Sequence, residues 1–135
     1  MSWYERLGVR RVINADARLT RLGGSIMPPE VVAAMAEAAR WYVDLVELQQ
    51  AVGRRLAELT RNEAAYVTAG AAAGLTLATL ACVTGPDPVS IARLRARFPD
   101  LDGYKDQVVI QAAHRIPYHP AFRLAGVQLV QIGNA

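Results

Sequence analysis

Apolar positions in the first sixty residues recur at helical spacing. Leu45, Leu48, Val52, Leu56 and Leu59 step by three and four, which predicts an amphipathic helix over 44–59. Gly53 lies inside that stretch at a cost of about 1 kcal/mol relative to alanine, a cost that a close helix contact would explain. An earlier helix is predicted for PEVVAAMAEAAR, with Val31, Val32, Met35 and Ala39 on one side. Pro29 suits its first turn, where a missing N–H breaks no hydrogen bond. Residues 2–7 fit one helical turn, and RVINA (11–15) reads as a brief extended segment. DARLTRLGGSIMPPE (16–30) between them is a loop by composition.

The pattern then changes. AAYVTAGAAAGLTLATLACV (64–83) opens as a short apolar run, reaches Gly70, and continues as an almost wholly apolar helix. A strand, a small-residue turn and a helix form half of a βαβ unit. Such a turn brings the first free N–H groups of the helix, at the positive end of its dipole, to the strand's carboxyl end, where they suit a phosphate. Gly70 allows the bend, and Ala71, Ala72 and Ala73 keep side chains out of an anion's way. The plainer alternative is a strand packing into a buried helix through a glycine turn, and the motif alone does not separate the two.

Beyond residue 83, TGPDP stops the helix and 91–98 suggests another, although Arg93, Arg95 and Arg97 alternate. Two further strands are predicted at 108–110 and 127–132, separated by AAHRIPYHP and a short helix at 121–125. Helices alternating with short apolar strands imply an α/β fold, a mainly parallel sheet of about three strands flanked by helices. The expected organisation is an N-terminal arm and helices (1–62), then the beginning of an α/β domain (63–135). A strand that finishes at the last residues of the chain suggests an interrupted domain.

Composition narrows the function. In 135 residues, 53% apolar and 20% charged, there is room for one ordinary core. The net charge of +3 comes from arginine, since Lys105 is the one lysine. Arg54 with Arg55, and Arg93, Arg95 and Arg97, form short clusters that read as solvated helix faces; a nucleic-acid surface needs a longer array. Cys82 lies in the apolar helix and is expected to pack as a small hydrophobe, which fits a reducing cytoplasm. The N-terminus carries no signal-peptide pattern. Gly70 and Gly74 interrupt the one long apolar stretch, so no membrane span is expected.

Three blocks carry a resemblance: RVINADARLTRLGGSIMPPEVVAAM (11–35), LAELTRNEAAYVTAGAAAGLTLA (56–78) and VVIQAAHRIPYHPAFRLAGVQLVQIG (108–133). In this order and spacing they resemble the N-terminal portion of a fold-type I pyridoxal-phosphate enzyme. The family is that of L-seryl-tRNA(Sec) selenium transferase and D-glucosaminate-6-phosphate ammonia lyase. The resemblance implies pyridoxal 5'-phosphate as cofactor, with Ala69, Gly70, Ala71 and Ala72 cradling its phosphate through backbone N–H groups. It places His114 to stack on the cofactor ring, with Arg115 and Tyr118 near the substrate. The N-terminal block resembles an arm lining the active site, with Asn14, Thr20 and Arg21 as its polar candidates. Arg21 suits an anionic group through its bidentate fork. The plainer alternatives are a surface histidine at 114 and, for Asn14 above all, a loop closed by side-chain to backbone bonds. A small-molecule amino substrate and a homo-oligomer, dimer or higher, are also implied.

The departures bear on activity. Such an enzyme needs a Schiff-base lysine and an acidic partner for the pyridine nitrogen, and in this family both come later than anything present here. Lys105 does not match the catalytic position. Ala69 stands where related turns often carry serine, and Arg61 replaces a small residue. The chain on its own is therefore expected to be inactive. Two other classes remain: a non-catalytic phosphate- or cofactor-binding interaction module, and an α/β domain for another phosphate ligand.

Overall fold

The computed structural model describes residues 1–114 and 116–134. The chain divides into two compact units, Met1–Asp44 and Leu45–Ala135. The first holds α1 (Trp3–Arg6) and α2 (Pro29–Ala38). The second holds α3 (Leu45–Thr60), α4 (Ala71–Thr84), α5 (Pro88–Arg97), β1 (Gln107–Gln111), α6 (His119–Arg123) and β2 (Gln128–Ile132). The α/β class is as expected.

In the first unit Ser2 caps α1 through a reciprocal box with Glu5, and Pro29 begins α2 as its spacing predicts. RVINA joins no helix and no ladder among the described residues.

In the second unit β1 and β2 pair in parallel, from Gln107 opposite Gln128 to Gln111 opposite Ile132. α6 lies in the crossover between them. The core is small: Leu94 of α5, Leu101 and Val127 are buried, with Leu80, Val83, Tyr104, Val108 and Phe122 packed against them. α5 begins at Asp87, whose carboxylate accepts from the Val89 and Ser90 N–H groups. Its alternating arginines are compatible with a helix because they are used locally. Arg97 pairs with Asp100, and the Arg93 guanidinium lies 5.5 Å from the centroid of the Tyr104 ring. The Asp102 N–H, and then Arg97, hold the exposed Asp100 carboxyl below its ordinary pKa.

Three expectations need correction. Residues 64–68 form no strand, so among the described residues the sheet has two strands rather than about three. Their polar groups turn to α3 instead: Gln49 Nε2 donates to the Val67 carbonyl at 2.8 Å. The packed face of α3 is also not its leucine stripe. Gly53 and Ala57 are its buried residues, while Leu45 and Leu59 stay exposed. A Cβ at Gly53 would lie 2.5 Å from the Ala65 carbonyl oxygen, so a backbone approach, not a helix–helix contact, explains this glycine. Finally, α4 is apolar on all sides, yet Thr79 is its one buried residue and Cys82 is exposed. α4 packs against α6 and α5 along one side, and Ala71, Ala72, Leu77, Ala78 and Ala81 stay exposed.

Candidate functional site

The segment 68–76 is built around Gly70. Its φ of 138° and ψ of 172° suit glycine alone, and a Cβ placed there would meet nothing within 4 Å. The α4 ladder starts with the Gly74 N–H donating to the Gly70 carbonyl at 3.0 Å. The preceding N–H groups, those of Ala71, Ala72 and Ala73, are thus the free donors of the first turn. No side chain caps them. Thr68 Oγ1 donates to the Gly70 carbonyl at 2.9 Å and so fixes the bend from the other side. Three donors at the positive end of a 14-residue helix, opening onto free space, fit a phosphate group. Ala69 sits exposed in the bend before Gly70.

The other candidates fall in two places. His114 ends a 3-10 turn, Ala112–His114, directly after β1, and is exposed. Tyr118, also exposed, immediately precedes α6. Both thus follow the carboxyl end of a parallel strand, the end at which ligands of α/β sheets bind. Arg115 lies outside the described residues. In the first unit Thr20 and Arg21 open a 3-10 turn, Thr20–Leu22, and both are exposed. Asn14 is engaged locally: Nδ2 donates to the Ala17 carbonyl at 2.7 Å, and Oδ1 accepts from the Asp16 N–H at 2.9 Å. That is the plainer of its two readings, a side chain closing its own loop.

Lys105 is exposed and precedes β1, whereas His114 follows it. A five-residue strand is roughly 16 Å long, so the two mark opposite ends of the sheet. Lys105 also lines a concavity of about 350 Å³ with Leu75, Cys82 and Val108. Two residues escaped the sequence reading. Thr68 stands two positions before the glycine, a spacing that suits a side-chain turn, and Thr76 lies one turn and a half into α4, where nothing in the sequence names its partner.

No family model matches the chain. It is 40% identical over 135 residues to 5'-C-glycyluridine monooxygenase-decarboxylase of a Streptomyces species, covering 96% of this chain and 33% of that protein. It is 34% identical over 136 residues to D-glucosaminate-6-phosphate ammonia lyase of Salmonella typhimurium, covering 98% of this chain and 36% of that one. A solved structure of D-glucosaminate-6-phosphate ammonia-lyase superposes with a TM-score of 0.87 at 34% identity, over 99% of this chain and 36% of that chain. The chain therefore spans about a third of the length of these relatives. By sequence and by fold it is similar to about a third of the length of D-glucosaminate-6-phosphate ammonia lyase.

Proposed function

We propose that this chain supplies the phosphate cradle and one ring-stacking wall of a pyridoxal 5'-phosphate site, in an enzyme of the lyase or transferase type acting on an amino acid or amino sugar. The observation that carries the reading is the Gly70 turn, with three free N–H donors where the family resemblance puts the cofactor phosphate. Ala69 to Ala72 would hold the phosphate through the backbone, and His114 would flank the ring. The bound cofactor would supply an electron sink for charge developing next to the substrate amine. In the second unit Tyr118 and Arg115 are the side chains suited to the substrate; in the first, Thr20 and Arg21 are separate candidates for it. An anionic amino substrate, such as the phosphorylated one named for the ammonia lyase, fits a guanidinium.

The two curated relatives are named for different reactions, an ammonia loss and an oxygenation with decarboxylation. A segment similar to both is suited to a task that does not depend on which reaction follows, and holding a cofactor would be such a task. With Lys105 at the far end of β1, the chain has no lysine placed for covalent attachment, so the reading is of cofactor binding without turnover. It also includes association with further copies of the chain in a reducing cytoplasm, in keeping with the uncovered apolar residues of α3 and α4.

Equilibrium titration tests the reading. Pyridoxal phosphate is expected to bind at least tenfold more tightly than pyridoxal, which lacks the phosphate. Gly70→Val is expected to remove that difference, because a β-branched residue resists φ near 138° and crowds the anion. Equal affinity for both ligands, or an unaffected Gly70→Val chain, would contradict a phosphate cradle at this turn.

A further inference from the structure

Thr76 joins the helix that follows the Gly70 turn to α6, the helix that follows Tyr118. Its hydroxyl lies 2.7 Å from the Ala121 carbonyl of α6 and 3.1 Å from the Ala72 carbonyl one turn earlier in its own helix. It has a single proton to donate, and the shorter contact is the one between helices.

The Ala121 carbonyl needs that donor. Ala121 is 4% exposed. Four residues on, the Ala125 N–H that would continue the ladder turns to Phe122 at 3.0 Å, and the Gly126 N–H goes to Arg123 at 2.9 Å. The carbonyl is thus one of the orphan acceptors of a helix end, buried where water is a poor substitute. Thr76 fills it from α4. Gly70, six residues earlier, caps the same α4, and Tyr118 immediately precedes α6.

We infer that Thr76 is a positioning residue: its hydroxyl fixes the α4 turn of Gly70 to Ala72 relative to α6, which follows Tyr118 and packs on β2, the partner of the strand that His114 follows. The inference rests on the proposed cofactor site, because it matters only to a ligand gripped at both places. Inorganic phosphate engages the α4 turn alone. Pyridoxal phosphate engages the turn and the ring wall together. Loss of the hydroxyl therefore weakens the second ligand and spares the first.

The test compares Thr76→Val, which keeps the shape and loses the donor, with Thr76→Ser, which keeps the donor. Both are measured in the full chain by titration with pyridoxal phosphate and with inorganic phosphate, and by amide hydrogen exchange without ligand. Thr76→Val is expected to bind pyridoxal phosphate about tenfold more weakly and inorganic phosphate as the unaltered chain does. Its amides at 122–126 are expected to exchange about tenfold faster, and Thr76→Ser is expected to restore all three readouts. Equal weakening of both ligands would confine Thr76 to the α4 turn and overturn the inference. So would unchanged exchange at 122–126, or a Thr76→Val chain that unfolds while Thr76→Ser does not, since either leaves the hydroxyl no positioning role. An unaltered chain that binds neither ligand brings down the cofactor site itself, and the positioning role with it. That failure is distinct, because it shows before any substitution is made.

Discussion

Two glycines show how far a single residue type can be read from sequence. Gly70 was legible: a lone glycine between an apolar run and an alanine-rich helix predicts a turn, and the structure puts it at the N-cap with a φ only glycine tolerates. Gly53 was legible only as an anomaly. Its reason is a carbonyl twelve residues away in sequence, and no local pattern names that partner. The contact makes a prediction opposite in sign to helix propensity. Gly53→Ala would gain about 1 kcal/mol in an isolated helix. Here the new methyl would press on the Ala65 carbonyl oxygen, and overpacking of this kind costs about 1–3 kcal/mol. Urea unfolding is expected to show a net loss of up to about 2 kcal/mol. A gain in stability would mean that segment 64–68 does not lie against α3. The side-chain roles divide in the same way, since the local Asx turn of Asn14 could be anticipated and the Thr76–Ala121 bond across 45 residues could not.

Among the elements, those with caps and periodicity were the readable ones. α2, α3 and both strands fall close to their predicted spans because Pro29, helical spacing and short apolar runs mark them. α5 starts three residues before its predicted span, at Pro88 after the Asp87 cap. The supposed strand at 64–68 failed for a general reason. A strand is defined by its neighbour, and β-propensity cannot say whether a neighbour exists. The face of α3 was misjudged because leucines at helical spacing mark an apolar stripe without saying what covers it. The end of α3 carries a second prediction. Arg61 has φ 56°, the Arg61 N–H donates to Glu58, and the Asn62 N–H donates to Ala57 at 3.0 Å. This is a Schellman ending whose left-handed position, usually glycine, is filled by arginine. Arg61→Gly is therefore expected to stabilise the chain by about 1 kcal/mol, seen as a higher denaturation midpoint in urea. A lower midpoint would mean that the arginine side chain contributes more than its backbone strain costs.

On the scale of the whole molecule, the surface is the dominant fact. The chain exposes 11797 Å², against roughly 8,000 Å² for two separate compact domains of these sizes. Exposed Leu77, Ile91 and Phe98 line a concavity of about 560 Å³ between α4 and α5. The two helices are bent by 119° to one another, and among the described residues no single helix is long and apolar enough to cross a membrane. Composition hinted at this surplus, because 53% apolar residues cannot all be covered by so small a core. Patches of this kind drive association, and light scattering of the purified chain is expected to give particles larger than one chain. A monodisperse monomer stable at tens of micromolar would contradict that expectation.

The central claim is a phosphate cradle with no lysine placed to hold the cofactor covalently. Borohydride reduction after mixing with pyridoxal phosphate, followed by peptide mapping, tests it most directly. Saturable binding that inorganic phosphate displaces is predicted, with only trace labelling at Lys105 or the α-amino group after reduction. One stoichiometric adduct at Lys105, accompanied by turnover of an amino acid, would contradict the account.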